Sequence, residues 1–97
     1  ESNATEFLAV CLTERGRRNG QRKDYSRGID DLSAALQLED THERRESLAA
    51  LYYFRASQIQ YHDRYAALED LKRAHQVDPS NAEIRRIYFD FKRQFSA

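Results

Sequence analysis

Methionine and tryptophan are absent from these 97 residues, and cysteine and proline each occur once. A single thiol, Cys11, excludes an internal disulfide and any cysteine-cluster metal site, and it fits a reducing compartment such as the cytoplasm. With three glycines and no Asn-Gly or Asp-Gly pair, the chain has neither a glycine-rich phosphate loop nor a tight hairpin turn. Net charge is lacking too: sixteen basic and sixteen acidic side chains cancel. A dedicated nucleic-acid binder is expected to carry a strong basic excess, so that class is set aside. No apolar run approaches the roughly 18 residues that cross a bilayer. No signal-peptide pattern opens the chain, and no membrane partner is expected.

What remains favours helices. Ala, Leu, Glu, Arg, Gln and Lys dominate, and these are strong helix formers. Eleven aromatics among the Phe and Tyr residues give a short chain something to bury. The chain opens without methionine, and Ser2-Asn3-Ala4 resembles the remnant of a cleaved expression tag. Residues 1–3 are therefore expected to be an unstructured start, and residues 4–97 a single domain cut from a larger protein.

Five helical segments are expected. The first runs from about 4 to 19, with Phe7, Leu8, Cys11 and Leu12 on one side and Asn3 with Glu6 as its cap. Cys11 among these apolar neighbours is expected to be a buried, inert thiol. The second half of this segment has no large apolar residue, so it is expected to be solvated, with Gly20 marking the end. Asp24 caps the second segment, in which Ile29, Leu32, Ala35 and Leu36 recur at helical steps. The third extends from about 41 to 61 with Leu48, Leu51, Tyr52, Ala56 and Ile59 as its stripe, and the fourth follows Asp63 with Leu68, Leu71 and Ala74. Asp78-Pro79-Ser80-Asn81 breaks the chain, because proline cannot continue a helical ladder. Ser80 with Glu83 reads as a capping box for the last segment. There Ile84, Ile87, Tyr88, Phe91 and Phe95 form the clearest amphipathic stripe.

The second and fourth segments are alike: Tyr25, Ile29, Leu32 and Ala35 answer Tyr65, Leu68, Leu71 and Ala74. A helix pair used twice, with a spare helix at the end, resembles the tetratricopeptide family, whose unit of about 34 residues repeats a helix–turn–helix. Gly16, Tyr25, Gly28, Ile29, Leu32, Ala35 and Leu36 match the first unit; Tyr52, Ala56, Ile59, Tyr65, Ala67, Leu71, Ala74 and Pro79 match the second. The resemblance implies repeats over about 9–40 and 48–81 and a capping helix over about 82–95. It further implies antiparallel helix pairs stacked as a short right-handed superhelix that binds other proteins in its concave groove. There are departures. Arg15 and Asn19 replace the family's usual Leu and Tyr, the second unit is one residue short near its turn, and extra residues around 42–47 lengthen the third segment.

Candidate sites follow from both lines of reading. Tyr53, Ser57, Gln60 and Tyr61 form a second stripe on the third segment, apart from the packing stripe. They suit a peptide groove, or else they pack against the first and last helices. Arg17, directly after Gly16, is expected to look into the same groove. Arg15, Arg18, Arg22 and Lys23 make a basic patch that would meet an acidic or carboxylate-bearing partner segment, or is simply a solvated face. Some members of the family clamp the terminal carboxylate of heat-shock chaperones with Lys and Asn. Those places here hold Thr13 and Arg17, and Phe54 replaces the second-unit Asn beside Arg55, so this clamp is not recognisable. A co-chaperone role is thus an alternative only. So is self-association, with Phe7, Leu8 and Phe89 as candidate contacts for a homodimer. His42, His62 and His75 share no ligand spacing and no Ser or Cys has an activating partner. No enzyme activity, metal or cofactor is expected.

Overall fold

The computed structural model describes residues 2–96 and is all-α: α1 (Ser2–Gln21), α2 (Tyr25–Leu38), α3 (His42–Ile59), α4 (Arg64–Val77) and α5 (Ala82–Ser96). There is no strand among the described residues, and no helix is long and apolar enough to cross a membrane. Helix α1 begins at Ser2, so Asn3 lies within its first turn instead of capping it, and Glu1 lies outside the described residues.

The helix starts are chemically specified. Asp24, Thr41 and Asp63 each accept a hydrogen bond from the backbone N–H three residues on, at 3.3, 3.2 and 3.0 Å. These are the donors that a helix start leaves unpaired. At α5 the capping box read from Ser80 is not used. Asn81 accepts from the Ile84 N–H at 3.0 Å, while the Ser80 hydroxyl donates to Asp78 at 2.9 Å. The Asn81 N–H also closes a turn on the Asp78 carbonyl at 3.1 Å, so the helix starts at Ala82.

Gly20 does not end α1 either. The chain reverses at Lys23, which takes the left-handed φ of 65°. Gly20 is there for packing: a Cβ on it would come within 2.6 Å of Leu51 Cδ2. Gly16 and Gly28 face each other in the same way, a Cβ on Gly16 falling 3.1 Å from the carbonyl oxygen of Gly28. The second half of α1, expected to be solvated for want of large apolar groups, therefore packs through its small residues. Backbones approach closely where side chains are missing.

Polar groups finish this contact. Arg15 sends two hydrogen bonds to Asp31 at 3.0 and 2.8 Å, and Asn19 adds a third at 3.0 Å. The second hairpin repeats the device: Arg55 sends two hydrogen bonds to Asp70 at 2.9 and 2.8 Å. The pairs span sixteen and fifteen residues. Small residues follow both arginines, Gly16 and Ala56, and small residues on the partner helices, Gly28 and Ala67, precede both aspartates. Hydrogen bonding to Asp31 and to Asp70 raises the affinity of Arg15 and Arg55 for their protons above the usual guanidinium range.

Successive helices are joined by turns of three or four residues and run antiparallel: Arg55 late in α3 reaches Ser26 at the start of α2, and Arg64 at the start of α4 reaches Gln94 near the end of α5. Helix α3 is central. Its Leu48 and Leu51 pack on Ile29 and Leu32 of α2, its Ala56 on Ala67 and Leu71 of α4, and its Ala49 with Ala74 and Ile84. Arg44 ties its start to the first hairpin. It is buried, its Nε donates to the Thr13 hydroxyl at 2.7 Å, and its Nη1 donates to the Glu39 carbonyl and carboxylate at 3.0 Å. Helix α5 closes the far end with Ile84, Tyr88 and Phe91. The near end is open: Leu8 is 49% exposed, and Cys11, expected to be buried, is exposed as well. No helix among the described residues covers this side of α1.

Candidate peptide-binding cleft

A cleft of about 340 Å³ opens between the first three helices. Arg17, Gly20 and Gln21 of α1 form one wall, and Ser47, Ala50 and Phe54 of α3 form the other. Leu32, Leu51 and Tyr25 close it from below. The glycine at 20 and the alanine at 50 make this space, because neither carries a side chain long enough to fill it. Leu32 and Leu51 are buried, so the floor is apolar and fixed. Phe54 is 46% exposed and leans on the Tyr25 ring, with centroids 6.0 Å apart and planes inclined by 29°. Arg17 is exposed on the rim and has no ion-pair partner among the described residues. An apolar floor, an aromatic wall and an unpaired cation fit a bulky apolar side chain with a carboxylate beside it.

The sequence-derived stripe divides differently. Tyr53, Ser57 and Gln60 line a separate, smaller hollow of about 210 Å³, walled by Ala67 and Leu71 of α4 and by Ile87 and Phe91 of α5. Arg17 is not part of it, so the grouping of Arg17 with the tyrosines does not stand. Tyr53 is half-buried against the clusters that join α3, α4 and α5. The Ser57 hydroxyl donates to the Tyr53 carbonyl at 3.1 Å, and the Gln60 side chain donates to the Ser57 carbonyl at 3.3 Å, so both hydroxyl and amide are turned inward to their own helix. Helix α3 stops at Ile59, which puts Tyr61 in the following turn, 85% exposed and outside both hollows. The ring of Tyr53 stands 5.5 Å from that of Phe54, and these neighbouring residues face the two hollows separately. Tyr53→Ala is expected to cost about 2 kcal/mol of stability, read as a lowered urea midpoint, because it empties a partly buried aromatic site.

The basic patch also separates. Arg15 is held by Asp31, whereas Arg18, Arg22 and Lys23 are exposed and have no ion-pair partner among the described residues. Thr13 is buried, and its hydroxyl donates to the Ala9 carbonyl at 2.7 Å while accepting from Arg44. A residue committed to that contact offers nothing to a carboxylate ligand. Among the described residues no three His, Cys, Asp or Glu side chains are placed to hold a metal ion.

Phe54 was noted in the sequence as the replacement for a clamp Asn and not as a candidate contact. It follows Ala50 by one helical turn on the side of α3 next to Leu51, and that spacing was a usable signal. Preference for tyrosine's polar tip concealed it. Comparison with known proteins gives no match, whether to a family model, a curated protein or a solved structure.

Proposed function

We propose that this chain is a protein-binding module of the tetratricopeptide type and not an enzyme. In this reading the two helix pairs stack as a short right-handed superhelix capped by α5. The cleft between α1 and α3 takes a partner segment carrying a bulky apolar side chain next to an acidic residue or a terminal carboxylate. The apolar side chain sits on Leu32 and Leu51 against Phe54, and the carboxylate meets Arg17. The observation that carries the proposal is the cleft itself, in which an aromatic wall and an unpaired arginine share one opening. The duplicated Arg–Asp hairpin supports the repeat reading. The exposed free thiol of Cys11 fits a reducing, cytoplasmic setting.

Selection from a displayed random-peptide library, followed by titration of the enriched peptides, tests this. Enriched peptides should pair a large apolar residue with an acidic one. Phe54→Ala should weaken them by about thirtyfold, the loss of a true aromatic anchor worth about 2 kcal/mol. Arg17→Glu should weaken them further at low salt than at high salt, because the contact is exposed. Arg17→Glu should leave the urea midpoint within about 0.5 kcal/mol equivalent of the parent, and Phe54→Ala, which removes a ring packed on Tyr25 and Tyr53, should lower it by about 1 kcal/mol equivalent. Peptides that bind both variants as they bind the parent would place the site elsewhere.

A further inference from the structure

The fold buries one face of α3 and leaves its counterpart on α1 bare. Along α3, residues Arg44, Leu48, Leu51, Arg55 and Gln58 follow one another at steps of four and three, which is a single helical stripe. Helix α2 covers the middle of this stripe: Leu48 and Leu51 are buried against Ile29 and Leu32, and Arg55 donates to the Ser26 hydroxyl at 3.1 Å. Forty positions earlier the same stripe on α1 reads Ala4, Leu8, Cys11, Arg15 and Arg18, with Arg22 at the next step just past the helix end, and of these Arg15 reaches α2 through Asp31. Here Leu8 is 49% exposed, Cys11 is exposed, and Phe7 beside them is 70% exposed. An end helix in contact only with water is expected to be polar on its outer face, and three adjacent apolar residues depart from that.

We propose that this stripe of α1 is the docking surface for an amphipathic helix of a partner protein, one whose first turn is acidic. It lies antiparallel to α1, as α2 lies against α3. Its C-terminal half covers Phe7, Leu8 and Cys11, and its N-terminal end meets Arg18 and Arg22. The charge pattern selects this occupant. Arg18 and Arg22 continue the apolar stripe without ion-pair partners among the described residues, so the covering helix must supply carboxylates at that end. Acidic residues in a first turn are favoured by the helix's own dipole as well. A second copy of α1 does not fit. Antiparallel pairing lays each apolar end on the other's arginines, and parallel pairing stacks arginine on arginine. The surface is distinct from the α1–α3 cleft, since Phe7, Leu8 and Cys11 do not line it.

Fluorescence anisotropy with two labelled peptides tests the proposal on the intact chain. One peptide copies residues 24–40, the segment that covers α3; the other carries Ser26→Glu and Arg27→Glu, which place two carboxylates in its first turn. The acidic peptide is expected to bind more tightly than the first, and added salt should narrow the gap. In the protein, Leu8→Asp should weaken the acidic peptide by about tenfold or more, as the loss of a buried leucine contact requires. The double change Arg18→Glu with Arg22→Glu should weaken it by about tenfold and reverse the preference between the peptides. These residues are exposed, so urea midpoints should hold, and Phe54→Ala should leave this binding unchanged. Binding that ignores Leu8→Asp, or no binding of either peptide at millimolar concentration, would overturn the proposal. A concentration-dependent dimer abolished by Leu8→Asp would overturn it in favour of a second copy.

Discussion

Gly28→Leu is expected to destabilise the chain by about 3 kcal/mol, the upper end of what overpacking costs. A Cβ at this position would stand 2.9 Å from the backbone oxygen of Gly16 and 2.8 Å from Leu51 Cδ1. The Leu51 methyl can turn aside, but the carbonyl moves only if α1 moves as a body. That shift would also pull Arg15 from Asp31. Gly20→Ala is the informative control. Its Cβ would meet only Leu51 Cδ2, at 2.6 Å, which is the end of a flexible side chain. The roughly 1 kcal/mol that alanine gains over glycine inside a helix should offset much of that crowding. Urea unfolding of the two variants beside the parent separates them. Equal midpoints for Gly28→Leu and the parent would mean that the helices of the first hairpin are not in this register.

Asp70→Ala is expected to cost about 3 kcal/mol. The Asp70 side chain is only 4% exposed and holds Arg55 through both carboxylate oxygens. Removing it leaves the Arg55 guanidinium with only its Ser26 hydrogen bond on a side chain that is one-quarter exposed, which keeps the loss at the lower end of the range for a broken buried pair. The double change Arg55→Met with Asp70→Leu should recover most of that loss, since an apolar pair of similar size needs no compensating charge. Asp31→Ala should cost less than Asp70→Ala, because Arg15 keeps 67% of its side chain in water. Thermal unfolding of the single and double variants supplies the comparison. A double variant as unstable as Asp70→Ala would show that the ion pair does more than fill its space.

The helices were legible because their signals are local. Ile84, Ile87, Tyr88 and Phe91 announce the inner face of α5 by spacing alone, and Asp24 and Asp63 cap where expected. The second half of α1 was misread because its packing is made by absence. Gly16 and Gly20 bury no apolar surface of their own, so periodicity has nothing to register, and Arg15 and Asn19 read as solvent-facing until Asp31 is placed opposite. The exposure of Cys11 was equally invisible, since an apolar stripe looks the same whether or not a helix lies over it. The candidate cleft was only half legible. Arg17 was marked by its place after Gly16, but the split between Tyr53 and Phe54 turns on about 100° of helical rotation between adjacent residues. Sequence fixes that angle within α3, and only the arrangement of α1 and α5 decides which ring meets which hollow.

Peptide binding in the α1–α3 cleft is tested most directly by backbone amide chemical shifts, recorded while a library-selected peptide is titrated into the isotope-labelled chain. Binding in the cleft predicts that the largest changes cluster at Arg17, Gly20, Gln21, Ala50 and Phe54, the two walls of one opening. Ser57, Gln60 and Tyr61 should move little. Changes centred instead on Tyr53, Ser57 and Gln60, with Arg17 and Ala50 still, would contradict it and return the site to the hollow between α3, α4 and α5.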